Sequence, residues 1–311
     1  MDLTQLETFL AVSQEGGFSR AAKKLFRTQP AISQTVRKLE LEIGEPLFDR
    51  SSREGVLTDA GRVLQSYAQK MLNMREEARG ALDELRKLQH GRLTIAANEF
   101  TCLYLLPLLN EFRQLCPMIK VTVQRSLASR IIEELMNHTT ELGVLTFRPD
   151  DPLIRSIVVY RDDLAFVVPA NHPLAAQKKD VTIKQLGAEC FVAHNIPSPY
   201  RAKVIETFKR RRVPLHMDVE LPSIEAIKKF VARQNGVALL PGICVQSEVD
   251  RGELVALEVP ELRFERKLRI VYRSEASLSH AARAFLQVAE SFARTKGVRY
   301  LYKPETAASG D

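Results

Sequence analysis

Apolar residues recur along this chain with two different periods, and the period changes near His90. Up to that point the steps are three and four residues, the repeat of a helix with one buried face. Asp2 to Gln14 predicts a first helix, with Leu3, Leu6, Phe9, Leu10 and Ser13 turned inward and Gly16-Gly17 ending it. Two shorter patterns follow. Ser19 to Leu25 carries Ala21, Ala22 and Leu25 on one face, and Gln29 to Leu39 carries Ala31, Ile32, Val36 and Leu39. Ser19 and Thr28 are placed as N-caps, and Pro30 falls in the first turn of the second helix, where a missing N–H costs least. Two short helices with a tight turn form a helix-turn-helix, whose second helix can enter a DNA major groove. Leu47-Phe48 and Val56-Leu57 then predict a hairpin with its tip at Ser51 to Gly55, the wing of a winged helix.

Residues 59 to 89 predict one long helix. Leu64, Tyr67, Met71, Met74, Ala78, Ala81, Leu85 and Leu88 alternate steps of three and four, while the outer positions are charged or polar. This narrow stripe is a coiled-coil seam and predicts a dimer; packing of the helix on its own domain is the plainer alternative. From Arg92 onward strands alternate with helices, which argues for a parallel sheet with crossover helices. Strands are expected at 91–98, 121–124, 142–147, 164–168, 190–192, 217–220, 236–240 and 267–272. Helices are expected at 103–115, 130–137, 200–211, 223–233 and 279–296. Crossings near Tyr160-Arg161 and Arg266 divide this part into two hinged α/β lobes. The expected organisation is a mainly α winged helix-turn-helix domain (1–61), a linker and dimerisation helix (62–90), and a two-lobed α/β domain (91–304). Lobe I takes 91–161 and 267–304, lobe II takes 162–266, and 305–311 form a flexible tail.

Charge sharpens the first part of this picture. Between Gly16 and Leu39 lie Arg20, Lys23, Lys24, Arg27, Arg37 and Lys38, with no Asp or Glu. The solvent face of the second helix offers Gln29, Ser33, Gln34 and Arg37, side chains that can pair with adenine edges, guanine edges and phosphates. Arg50 and Arg53 sit near the wing tip. The bland alternative is a solvated basic face. The net charge of +7 over 311 residues suits an anionic partner but is spread along the chain. Four Cys lie far apart without CxxC spacing, which fits a reducing cytoplasm. No apolar run reaches the about 18 residues of a membrane span. Six scattered His show no metal spacing, and no nucleophile–base pair or phosphate loop appears, so neither a metal, a cofactor nor catalysis is expected. Cys102, at the start of the first lobe's helix, could have a lowered thiol pKa there.

Over nearly its whole length the sequence resembles the LysR-type transcriptional regulators. The carrying residues are LETFLAVSQEGGFSRAAKKLFRTQPAISQTVRKLELEIGEPLFDR, LTDAG, GRLTIAAN with LLPLLNEF, HPLA (172–175) and GVALLP (236–241). The resemblance implies a periplasmic-binding-protein-like C-terminal domain, a homodimer or homotetramer on double-stranded DNA, and a small co-inducer between the lobes. It places base contacts on Gln29, Pro30 and Gln34, with Ser33, Arg37, Arg50 and Arg53 beside them. Arg20, Thr28 and Lys38 complete the candidate DNA-facing set. Effector candidates are Asn98, Thr101, Ser129, Thr146, His194, Ser198 and Ser223, at helix starts and strand ends that favour anions. Each hydroxyl among them could equally be a plain N-cap. The chain departs from the usual pattern at Ala128, Glu141 and Gln234, which leaves the ligand open. The implied function is a sequence-specific regulator whose DNA binding or bending answers that co-inducer. The alternatives are a ligand-binding protein whose N-terminal domain contacts other proteins, and a two-lobed enzyme. A charge at Leu85 should split the dimer at the seam; an unchanged mass in sedimentation would argue against the coiled coil.

Overall fold

The computed structural model describes residues 1–49, 55–86, 91–177, 181–196, 198–273, 278–296 and 299–305. The expected wing arginines Arg50 and Arg53, and Leu88, lie outside them, as do the side chains of Ala81 and Leu85. Three helices build the N-terminal domain: α1 (Leu3–Glu15), α2 (Phe18–Lys24) and α3 (Gln29–Ile43). Asp2 caps α1 in a reciprocal capping box with Gln5, and Gly16 closes it in the left-handed conformation. Leu6, Phe9, Ala21, Ile32, Val36, Leu39, Leu47 and Phe48 form the core. Leu3, expected in that core, is 40% exposed, whereas Val12, which was not expected there, is fully buried beside the expected Leu6, Phe9 and Leu10. Helix α2 starts one residue before Ser19, with Gly17 as its cap, and Thr28 caps α3 by position without a side-chain hydrogen bond. Among the described residues, Phe48 and Leu57 form an antiparallel bridge at the wing base.

Helix α4 (Asp59–Arg86) leaves this domain. Its start explains the LTDAG stretch. The Thr58 hydroxyl accepts from the Gly61 N–H at 3.0 Å and donates to the Pro46 carbonyl at 2.7 Å. Gly61 presses on the wing: a Cβ there would stand 2.2 Å from the Leu47 carbonyl oxygen. Ala68, Leu64 and Leu72 pack into the helix-turn-helix core, so Leu64 belongs there and not to the seam. Gln65 donates to Ser13 at 2.8 Å, and Arg75 pairs with Glu7 at 2.7 Å. Tyr67, Met71 and Met74 stand exposed on the other side, as a seam awaiting a second helix requires.

The remainder alternates in the expected order, with additions. The strands are β1 (Gly91–Ala97), β2 (Ile119–Arg125), β3 (Leu142–Leu145), β4 (Ile154–Pro169), β5 (Cys190–His194), β6 (His216–Leu221), β7 (Ala238–Pro241), β8 (Leu254–Leu257), β9 (Glu265–Arg273) and β10 (Tyr300–Glu305). The helices are α5 (Glu99–Leu115), α6 (Ile131–Met136), α7 (Pro199–Arg211), α8 (Ile224–Ala232), α9 (Gly242–Asp250) and α10 (His280–Lys296). Lobe I is a six-stranded sheet in the order β10-β4-β9-β3-β1-β2. It is mixed: β1 pairs parallel with β2 and β3, whereas β9 runs antiparallel to β3 and β4. The purely parallel expectation fails because β9 returns from the other lobe. The far half of β4 enters lobe II and pairs with β7 and β8. There β5 and β6 form a parallel pair, tied to β7 by the Phe191–Val237 bridge. Gly236 of GVALLP (φ 116°) permits that tie, since a Cβ would lie 2.4 Å from the Cys190 carbonyl oxygen.

Helix α9 and strands β8 and β10 were not expected, nor was the first half of β4. The chain after Pro304, expected to be loose, still includes Glu305, whose carboxylate accepts from Arg269 at 2.8 Å and from Ser156 at 2.8 Å. Lobe I also grips α4. Asn73 donates to the Asn137 carbonyl at 2.7 Å, and Glu77 meets the His138 Nδ1 at 2.5 Å. Arg273 reaches both the Glu77 carboxylate (3.2 Å) and the His138 Nε2 (3.0 Å). Because a guanidinium only donates, Nε2 accepts and Nδ1 carries the proton toward Glu77. Replacing Gly61 by Ala is expected to destabilise the N-terminal domain by about 1–3 kcal/mol through overpacking on Leu47, read by urea denaturation. No change in midpoint would mean that the wing yields freely.

Candidate functional site

The exposed face of α3 carries the expected DNA readers in two neighbouring rows. Gln29, Ser33 and Arg37 are four residues apart, as are Pro30, Gln34 and Lys38, and all six are exposed. Thr28 is exposed at the start of α3. Ile32, Val36 and Leu39 hold the opposite face in the core, while Ala31 is half-buried. Arg20 is employed differently. Its guanidinium donates to the Glu15 and Gly16 carbonyls and so closes the C-terminal end of α1. Lys24 is partly neutralised by Glu15 at 2.6 Å. Phe26, which the sequence pattern did not single out, stands 97% exposed in the turn before α3, with φ 53°.

A second site lies between the lobes. A cavity of about 210 Å³ is lined by residues of both, including Asn98, Arg125, Thr146, His194, Ser198 and Arg266. Its walls are largely apolar, from Phe147, Leu164, Phe191, Val204, Met217 and Leu239. Asn98 follows β1, Arg125 ends β2, Thr146 follows β3 and His194 ends β5. These are carboxyl ends of strands, where ligands of open α/β sheets bind. Arg125 is exposed and has no ion-pair partner among the described residues. Arg201 donates to the His194 carbonyl at 3.3 Å and pairs with Glu220.

Arg266 sits at the lobe crossing. It faces Asp162 in the β4–β9 register and donates to its carboxylate at 2.8 Å, with both side chains almost wholly buried. Burial pushes the Asp162 carboxyl up from its ordinary value, against the pull of Arg266. The Arg266 guanidinium also lies 5.4 Å from the Tyr200 ring centre.

The expected effector residues divide. Asn98, Thr146, His194 and Ser198 line the cavity. Thr101 does not; it is fully buried in a capping box with Asn98. Ser129 is exposed beside Ala128 and lies off the cavity, and Ser223 only caps α8, accepting from Ala226 at 3.2 Å. Arg125, Arg201, Arg266, Glu99 and Tyr200 were missed. The strand-end rule would have found Arg125, but the others depend on how the two lobes face each other. Burial pushes the Cys102 thiol up, opposite to the lowering expected at a helix start.

Comparison with known proteins identifies the family of both domains. Residues 3–62 match the family described as "Bacterial regulatory helix-turn-helix protein, lysR family", and residues 86–294 match "LysR substrate binding domain". A "Probable RuBisCO transcriptional regulator" of Synechocystis sp. is 30% identical over 292 residues, covering 92% of this chain and 84% of that protein. The regulatory domain of CcmR from Synechocystis, solved in complex with 2-PG, is 26% identical with a TM-score of 0.60, over 66% of this chain and 99% of that one. Full-length CbnR in complex with its target DNA shares the fold, with a TM-score of 0.72 at 20% identity, over 94% of this chain and 99% of that one.

Asp162→Asn preserves shape but leaves Arg266 buried without an anion. It should cost about 3–5 kcal/mol in urea denaturation of the full chain. A loss under about 1 kcal/mol would show that the pair does not hold the crossing.

Proposed function

This chain belongs to the LysR-type transcriptional regulators, DNA-binding proteins with an effector-binding domain, and from that premise we propose that its signal is a small acid with an apolar body. The observation that carries the reading is the cleft between the lobes. It is apolar along its walls, and Arg125 stands at its edge as a cation without an ion-pair partner among the described residues. Such a pocket binds an apolar body by burial, and Arg125 draws the acid group toward it by charge. The likeness to a CcmR regulatory domain in complex with 2-PG supports a small ligand. The ligand acts by favouring one closure of the lobes, and it can do so only through different affinities for the two states.

In the same reading Gln29, Pro30 and Gln34 meet base edges, while Ser33, Arg37 and Lys38 hold phosphates or bases. The exposed stripe of α4 pairs subunits, so each assembly carries several copies of α3. The protein works in the cytoplasm, without a cofactor and without catalysis of its own; its relatives are regulators. A thermal-shift screen of aromatic and aliphatic carboxylates, amino acids and sugar phosphates, followed by gel shift on upstream DNA with each hit, tests the whole. Gln34→Ala is expected to weaken the specific site by about 1–3 kcal/mol and random DNA less. Equal losses on both would remove Gln34 from base reading.

A further inference from the structure

One carboxylate in the cleft is already spoken for. Glu99, in the first turn of α5 on lobe I, reaches across to lobe II. Its Oε1 accepts from the backbone N–H of Ile224 at 3.0 Å, the first residue of the nine-residue helix α8. Its Oε2 lies 3.7 Å from the His194 Nε2. The His194 side chain is only 9% exposed. Its Nδ1 accepts from the Ile196 N–H at 3.0 Å, so Nε2 carries the ring proton. That buried N–H has no hydrogen-bond partner, and Glu99 stands just beyond hydrogen-bond reach. The Phe100 ring, 5.2 Å from the imidazole centre to centre, holds the ring in place. Two helix N-termini, α5 and α8, therefore converge on one negative charge from opposite lobes, each favouring an anion there.

We propose that the Ile224 N–H and the His194 Nε2–H form a carboxylate site that Glu99 of the opposite lobe fills, and that the acid group of the effector enters by displacing Glu99. This rests on the cleft being the effector site, and it adds how that site is kept when empty. Glu99 is a tethered stand-in for the ligand. It clasps the lobes together, and it sets a threshold: only an acid with enough apolar surface to fill the rest of the cavity can compete with a carboxylate already present at high local concentration. Free acetate, which has almost no such surface, does not displace it.

The test is chemical rescue in the full-length chain. Glu99→Ala uncovers the site, so sodium acetate at about 100 mM should raise its melting temperature by about 2–4 °C over sodium chloride of equal ionic strength. Wild type should show no acetate-specific rise. Glu99→Gln, whose amide still fills the space, should also show none, and it guards against a poorly folded alanine variant. Adding His194→Ala to Glu99→Ala should abolish the rescue. Equal responses of wild type and Glu99→Ala, or no response of a folded Glu99→Ala, would overturn the proposal. The readout needs neither DNA nor the natural effector. Loss of rescue alongside a carboxylate hit on wild type would therefore sink the stand-in and leave the cleft reading intact.

Discussion

The two-lobed domain depends on a single pair of antiparallel strands that pass between its halves. Strand β4 runs on into lobe II and β9 enters lobe I from it, and at the crossing Asp162 and Arg266 neutralise each other out of water. A buried charge without its partner is costly, so this contact favours the one register in which the two meet. The cavity opens beside it, with Arg266 in its wall. Any ligand that fills the cleft therefore touches the element about which the lobes would move. The strands tolerate bending there because β4 shifts register between Val158 and Tyr160 on the lobe I side of the crossing.

Much of this architecture was legible in the residues. The step of three and four fixed α1 to α4, and the short apolar runs located most strands to within a few positions. The failures share a physical origin. Strand β10 and the first half of β4 are partnered by segments far away in sequence, and neither alternates: Ser156 to Tyr160 are buried in succession, and Lys303 and Pro304 are exposed in succession. Helix α9, which follows GVALLP directly, gives no start signal because Pro241 caps it by position alone. In the cleft, Asn98 and His194 could be placed because they sit at strand ends. Glu99 could not be given a role, because its meaning depends on Ile224, which is 125 residues away.

The junction between the linker helix and lobe I is the other feature that local pattern cannot show. Glu77, His138 and Arg273 come from α4, from the turn after α6 and from the end of β9. His138 takes a left-handed backbone conformation (φ 57°) to reach its place, a strain that its two hydrogen bonds offset. Strand β9 thus has one end at the lobe crossing and the other on α4, with Arg269 held midway by Glu305. A displacement at one end has a stiff connection to the other.

That connection meets a lever. Helix α4 spans 28 residues, roughly 42 Å at 1.5 Å per residue. Its first turn is wedged against the wing by Gly61 and its first half is packed into the helix-turn-helix core, so helix and reading head turn as one solid. Geometry then converts a small angle into a large stroke. Pivoting α4 by roughly 5° about Glu77, where lobe I grips it, sweeps the start of the helix, roughly 27 Å away, through roughly 2 Å, a large part of the 3.4 Å rise of one base-pair step. The gearing is carried by the length of a helix that touches neither base nor effector.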